Sequence, residues 1–301
     1  MAAIRNVVLA GVSGNLGPAI LKAVSSSPTF NVTVFTRPGS SPLATPGVET
    51  IEVDYESIDD LTSKLQGKDA VVSTIPPTAA GAQTNLIKAA VAANVSRFLP
   101  SEFGSDLHNA LNRAAPVYKP KVETQELLKE LAGQDKLSYT IVYTGAFLDW
   151  GLKVGFPINP VKKTALLHDG GERLYTTTTL ATVGKAVVGV LNHPEETKNR
   201  VVRVGEVSTT LKEILALSQE IVGADGWDVT EPDTTEDVEK ALALIKQGNF
   251  SREAILPFIS KAIWGEGNGG HFDKTDNELL GIQKLDRAGL KQLIQSVVDS
   301  Q

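Results

Sequence analysis

Three glycines spaced Gly11-x-x-Gly14-x-x-Gly17 follow a short apolar run at residues 7–10 and precede a stretch, 18–24, with helical spacing. Those residues predict a strand, a tight turn and a helix start. The chemistry such a turn suits is anion binding. Glycine leaves no Cβ to hold a phosphate away from the backbone N–H groups, and it tolerates positive φ. The helix beyond presents unpaired N–H groups and the positive end of its dipole. Gly11, Ser13, Gly14, Asn15, Leu16 and Gly17 are the expected pyrophosphate cradle. The spacing differs from the G-x-G-x-x-G of the simplest dinucleotide fingerprint, and a plain strand-to-helix turn is the competing reading. The second chemical signal is Arg37, which closes a β-rich run at 31–36 and is followed by Pro38-Gly39-Ser40-Ser41. At the end of the second strand of a dinucleotide fold, an acidic residue holds the ribose 2′-hydroxyl of NAD, whereas an arginine accommodates the 2′-phosphate of NADP. Arg37, with Ser40 and Ser41 as further donors, points to NADP(H). A solvated arginine at a strand end is the alternative.

The elements that must position these residues recur in a regular beat. Residues 48–53 read as a third strand ending at Asp54, and 58–65 as a helix with Ile58, Leu61 and Leu65 on one face. Residues 69–75 form a fourth, almost wholly apolar strand that runs into Pro76-Pro77. A helix over 83–93, a fifth strand over 96–99 and a sixth over 138–143 follow. Continuous apolar strands suit a sheet covered on both faces. The alternation predicts an α/β fold, a doubly wound parallel sheet of Rossmann type, over residues 1–150. Ser73, Thr74, Ile75 and Pro76 are expected along the cofactor crevice, because open parallel sheets bind ligands at the carboxyl ends of their strands. The tip of the sixth strand, Thr144 and Gly145, is expected beside the nicotinamide. Phe147 and Trp150 would wall an aromatic substrate pocket, or else form an apolar loop core.

Bulk properties exclude several classes. The 301 residues carry a formal net charge of −6 with no Lys/Arg cluster, unlike a dedicated nucleic-acid binder. There is no cysteine, so neither a disulfide framework nor a Cys-ligated metal site exists. His108, His168, His193 and His271 stand apart, with no metal-ligand spacing. No apolar run approaches the ~20 residues of a membrane helix, and a cytoplasmic protein, monomer or homodimer, without a membrane or nucleic-acid partner is expected. Nor is there a nucleophile elbow or a P-loop.

Beyond residue 150 the pattern loosens, and residues 151–301 are expected to form a smaller α+β substrate-binding lobe capping the crevice. Residues 164–176 read as a hairpin with a glycine turn, 180–191 as a helix, and 200–204 as a strand that returns to the main sheet. Helices are expected at 210–222, 235–245 and 285–298, with a short strand at 227–230. Residues 265–270 read as a mobile loop, and loops around 76–82, 145–160 and 255–275 as the carriers of substrate specificity.

The glycine turn, Asp54 with Leu61 and Gly67-Lys68-Asp69 downstream, and Arg97-Phe98-Leu99-Pro100-Ser101-Glu102-Phe103-Gly104 together resemble the NmrA-like branch of atypical short-chain dehydrogenases. More narrowly they are similar to the isoflavone reductase and phenylcoumaran benzylic ether reductase group. The likeness is specific to about residue 150 and looser through Gly170-Gly171 and 176–190. It implies an NADPH-dependent oxidoreductase that transfers hydride to a small aromatic, phenolic or enone-like substrate. It implies Ser101, Glu102 and Phe103 at the cofactor, with Phe103 also against substrate. It further implies a lysine in place of the usual Tyr-x-x-x-Lys pair, opening the helix after the Ser-Glu-Phe-Gly turn. Lys119 and Lys121 both meet that description. The register of Leu127 and Leu128, with Pro120 in the first helical turn, favours Lys121 as catalyst and cofactor contact, with Lys119 as understudy. An ammonium there would donate a proton or stabilise developing negative charge. Tyr118 does not have Tyr-x-x-x-Lys spacing and reads as packing or pocket wall. The family also contains regulators that bind a dinucleotide to sense redox state and act through a protein partner. They tend to lack the lysine, and such a regulator is the alternative function.

Overall fold

A computed structural model describes residues 3–40 and 45–300; Ser41, expected as a donor beside Arg37, lies outside the described residues. In chain order the strands are β1 Asn6–Ala10, β2 Asn31–Thr36, β3 Glu49–Glu52, β4 Ala70–Ser73, β5 Arg97–Leu99, β6 Ser138–Tyr143, β7 Ala146–Phe147, β8 Ile158–Asn159, β9 Thr164–Leu166, β10 Tyr175–Thr178, β11 Arg200–Arg203, β12 Val207–Thr209 and β13 Asp228–Thr230. The helices are α1 Gly17–Ser25, α2 Ile58–Leu65, α3 Ala80–Ala92, α4 Ala110–Ala114, α5 Lys119–Gly133, α6 Leu148–Val154, α7 Leu180–Asn192, α8 Leu211–Val222, α9 Thr234–Lys246, α10 Arg252–Trp264, α11 Asn277–Leu280 and α12 Arg287–Asp299.

Seven strands form one sheet in the order β3-β2-β1-β4-β5-β6-β11, with every neighbouring pair parallel. This is the doubly wound order, and its switch point falls between β1 and β4. Alternate side chains of each strand serve opposite faces. Val7 and Leu9 join Ile20, Leu21 and Val24 of α1 and Val183, Val187 and Val190 of α7 in one buried cluster. Val8 and Ala10 join Leu61 and Leu65 of α2, Leu86 and Ile87 of α3 and Leu128 of α5 in another. Each large apolar side chain buried this way stabilises the fold by about 1.5–3 kcal/mol, which is why these strands read as unbroken apolar runs.

The strand expected to return to the main sheet does so. β11 pairs in parallel with β6, Val201 opposite Ile141. A buried arginine braces that edge. Arg97 on β5 donates from Nε to Ser138 Oγ at 2.9 Å, from Nη1 to Thr140 Oγ1 at 2.9 Å and Thr197 Oγ1 at 3.2 Å, and from Nη2 to the Pro194 carbonyl at 2.5 Å. Burial lowers its pKa to about 10, with Glu195 opposing the shift. Arg97 ties the connection between α7 and β11 to the middle of the sheet.

The remaining strands make two three-stranded sheets, β12-β10-β7 and β13-β9-β8, around a third core that contains Trp264. The hairpin expected at 164–176 does not form. β9 pairs with β8 and β13, whereas β10 pairs with β12 and β7, so the two strands belong to different sheets. The glycines between them sit in a 3-10 segment, with Gly170 at φ 81°. The first part of the region expected as a loop at 255–275, residues 255–264, belongs to the helix α10, which contains Pro257. A proline inside a helix costs about 3 kcal/mol. Burial of Ala254, Phe258, Ala262, Ile263 and Trp264 on α10 offsets that cost. Among the described residues no helix is long and apolar enough to cross a membrane.

Candidate functional site

A cleft of about 650 Å³ opens at the carboxyl ends of β1, β2, β4 and β5. Its floor is the glycine turn, where Gly11, Ser13, Gly14, Asn15 and Leu16 all face it. Gly11 has φ 84°, and a Cβ there would stand 2.7 Å from the Thr74 carbonyl carbon, so the turn and the end of β4 touch only because position 11 is glycine. Gly17 serves differently. A Cβ on it would meet Val12 Cα at 2.4 Å, so it lets α1 close against the turn and lies behind the cleft wall. No side chain caps the N-terminus of α1, which leaves its first N–H groups to a ligand.

Arg37 and Ser40 line the far end of the cleft. The Arg37 side chain is exposed and forms no ion pair with a described carboxylate. Beside it stand Tyr55 and Glu56, which sequence reasoning passed over although they directly follow Asp54. Burial raises the Tyr55 phenol above its usual value, opposed by Arg37, and its hydroxyl donates to the Phe35 carbonyl at 3.3 Å. Of the β4 residues singled out, Thr74, Ile75 and Pro76 reach the cleft; Ser73 is fully buried beneath it.

The opposite end is built by the turn after β5. Ser101, Glu102 and Phe103 line it, with Phe147 and Lys121 across from them. The turn is held from three sides. The Ser101 N–H donates to Gln83 Oε1 of α3 at 2.9 Å, the Glu102 N–H to the Pro100 carbonyl at 2.8 Å, and the Thr144 and Gly145 N–H groups to the Gly104 carbonyl at 3.2 Å. Phe103 adopts φ 28°, a strained value for a residue with a side chain. Lys121 Nζ donates to the Glu102 carbonyl at 2.5 Å and lies 4.0 Å from Glu102 Oε2. Burial pulls the Lys121 amine below its ordinary pKa while Glu102 opposes the shift. Burial pushes the Glu102 acid up to about 7 against the pull of Lys121, Gln125 and Arg113.

Geometry separates the two candidate lysines. Lys121 lines the cleft with a side chain 19% exposed, whereas Lys119 is 76% exposed and pairs with Glu123 at 3.7 Å. Thr144, Gly145 and Trp150 are not among the lining residues. Gly145 makes a close approach to β10, since a Cβ would meet the Thr176 carbonyl oxygen at 2.1 Å. The described lining of this cleft runs from Gly11 to Phe147. Tyr118 is buried, with its phenol pushed up to about 12 and its hydroxyl 3.1 Å from Ser105 Oγ. It walls a separate crevice of about 690 Å³ between α4 and α9–α10. Sequence reasoning placed Glu102 at the cofactor and missed it as the ion partner of Lys121; the two are nineteen positions apart. Among the described residues no three His, Asp or Glu side chains gather as metal ligands.

This fold and cleft match a described class. The NmrA-like family model matches residues 5–226. A protein of Penicillium oxalicum named oxidoreductase poxI is 32% identical, over 91% of this chain and 89% of that protein. Isoflavone reductase of Glycine max is 26% identical over 88% of this chain and 90% of its own. Among solved structures, the binary complex of leucoanthocyanidin reductase and NADPH from Vitis vinifera superposes with a TM-score of 0.78 at 17% identity, covering 98% of this chain and 99% of that one. The chain belongs to the NmrA-like family, as the resemblance of its motifs implies. It is an oxidoreductase of that family's isoflavone reductase-like kind.

Proposed function

We propose that the protein is an NADPH-dependent reductase that transfers hydride to a small aromatic, phenolic or enone-like molecule, with Lys121 as proton donor or charge stabiliser. One observation carries the reading: a single cleft joins the glycine turn, the exposed Arg37 guanidinium and the half-buried Lys121 ammonium. The residues present fit NADP(H). Gly11 lets the turn close onto the end of β4 at the cleft floor, the uncapped start of α1 offers N–H donors, and Arg37 suits a 2′-phosphate. A charge-assisted pair at Arg37 is worth about 1.5–3 kcal/mol. Bound NADPH would supply the hydride. The protein supplies the rest: Phe103 and Phe147 exclude water from the reacting end, and Lys121 holds positive charge where an oxygen would become anionic. The NADPH named with the leucoanthocyanidin reductase structure supports the cofactor. In this reading the partner is one small molecule in a cytoplasmic setting, with no nucleic acid or membrane involved.

The test is a fluorescence titration of NADPH and NADH into wild type and Arg37→Asp, followed by acceptor assays. NADPH is expected to bind at least about tenfold more tightly than NADH in wild type, and Arg37→Asp to abolish the difference. Equal affinities in wild type would sink the cofactor assignment. Tight NADPH binding without oxidation by flavonoid, lignan or quinone-like acceptors would return the protein to the regulator alternative.

A further inference from the structure

Glu102 grips Lys121 twice. Its carbonyl accepts from Nζ at 2.5 Å, and its carboxylate Oε2 lies 4.0 Å from the same nitrogen. Glu102 is only 3% exposed, so its charge acts in a poorly screened setting. The strained turn at Phe103 and the bond from the Glu102 N–H to Pro100 aim the carbonyl. An ammonium has three N–H donors; the carbonyl takes one, the carboxylate faces a second, and the cleft is left for the third.

We propose that Glu102 is the positioning residue of this site: it keeps the Lys121 amine protonated and directed into the cleft, and so sets the pH range over which the lysine can act. The groups around the pair allow this. Arg113 of α4 adds positive charge near Glu102, Gln125 of α5 presents its amide, and Tyr118 and Tyr143 contribute neutral phenols. Arg113 is shared with Gln125 and Glu126, while Asp106 and His108 stand beyond Tyr143. Glu102 is the one described carboxylate paired with Lys121. Removing its charge leaves burial unopposed, and the amine then loses its proton at lower pH.

The kinetic arm of the test rests on the reductase reading; the labelling arm does not. Wild type and Glu102→Gln are trace-acetylated with acetic anhydride from neutral to strongly alkaline pH, and peptide mass spectrometry reads Lys121. The Lys121 midpoint is expected to fall by about one pH unit or more in Glu102→Gln, with Lys119 unmoved as the internal reference. The alkaline limb of kcat/KM should fall by the same amount. If Glu102→Gln does not fold, Glu102→Asp is labelled instead, and its withdrawn carboxylate should shift the midpoint in the same direction. Equal midpoints in variant and wild type overturn the inference, as does a lower kcat/KM with an unmoved limb. A shifted midpoint in a protein that oxidises no NADPH upholds the pair and removes only the reductase reading.

Discussion

Lys119 and Lys121 are the same residue type two positions apart, and on a helix two positions turn the side chain by about 200°. One faces solvent and the other the cleft. Lys121→Met is therefore expected to lower kcat by about 10²–10⁴-fold, far more than any loss of NADPH affinity, while Lys119→Met leaves steady-state kinetics unchanged. Its exposed pair with Glu123 is worth only about 0.3–0.5 kcal/mol. The glycines divide in the same way. Gly11→Ala forces a Cβ against the Thr74 carbonyl carbon at a positive φ. It should cost about 1–3 kcal/mol in urea unfolding and also weaken dinucleotide binding. At Gly14 the nearest atom to an added Cβ is 3.7 Å away. Gly14→Ala should unfold within about 0.5 kcal/mol of wild type yet bind NADPH less tightly, because the new methyl group faces the cleft. Equal binding by that variant would contradict the placement of the pyrophosphate.

At the scale of elements, stability depends on a few buried polar contacts between segments distant in sequence. Arg97 joins β5 to β6 and to the connection before β11, with its guanidinium fully buried. Arg97→Met leaves the Pro194 carbonyl and the Thr140 hydroxyl without their donor, and it should cost about 3 kcal/mol or more in denaturant unfolding. His168 reports on a different packing. Its ring stacks on Trp264 of α10 at 4.9 Å and 9°, and neither ring nitrogen has a hydrogen-bond partner among the described residues. Burial depresses its pKa to about 4, so folding favours the neutral ring. The stability this contributes is fully present above the unfolded value and is lost as pH falls from there toward the folded one. At about pH 5 the loss amounts to about 2 kcal/mol. His168→Phe keeps the stack and removes the titration, so unfolding curves at neutral pH and near pH 5 should differ by that much less in the variant. An unchanged pH dependence would show that the ring charges without cost.

For the whole molecule, residues on both sides of position 150 share one buried cluster. α7 and β11 lie beyond residue 150, yet they cover α1 and extend the sheet past β6. A chain ending at residue 150 would expose Ile20, Leu21 and Val24 together with the edge of β6. Such a fragment is expected to bind a hydrophobic dye and to lose cooperative unfolding. A cooperative transition in the fragment would establish residues 1–150 as an independent domain.

The first six strands and their helices were readable because each strand–helix–strand unit is local: apolar runs, glycine turns and helical spacing fall within windows of a few tens of residues. The glycine turn at Gly11 and the cation at Arg37, which line one cleft, were readable for the same reason, each marking the end of its own strand. Pairing across long separations left no such trace. Nothing local distinguishes a hairpin at 164–176 from two strands joining different sheets, and Pro257 disguised α10, whose helix is stabilised by burial against remote side chains. By itself the amino-acid order determined the family, the doubly wound parallel character of the sheet and the kind of ligand its turns suit. Only the tertiary structure decided which lysine reaches the cleft and which acid sits beside it, because both depend on how α5 packs against the turn after β5, a contact between residues nineteen positions apart.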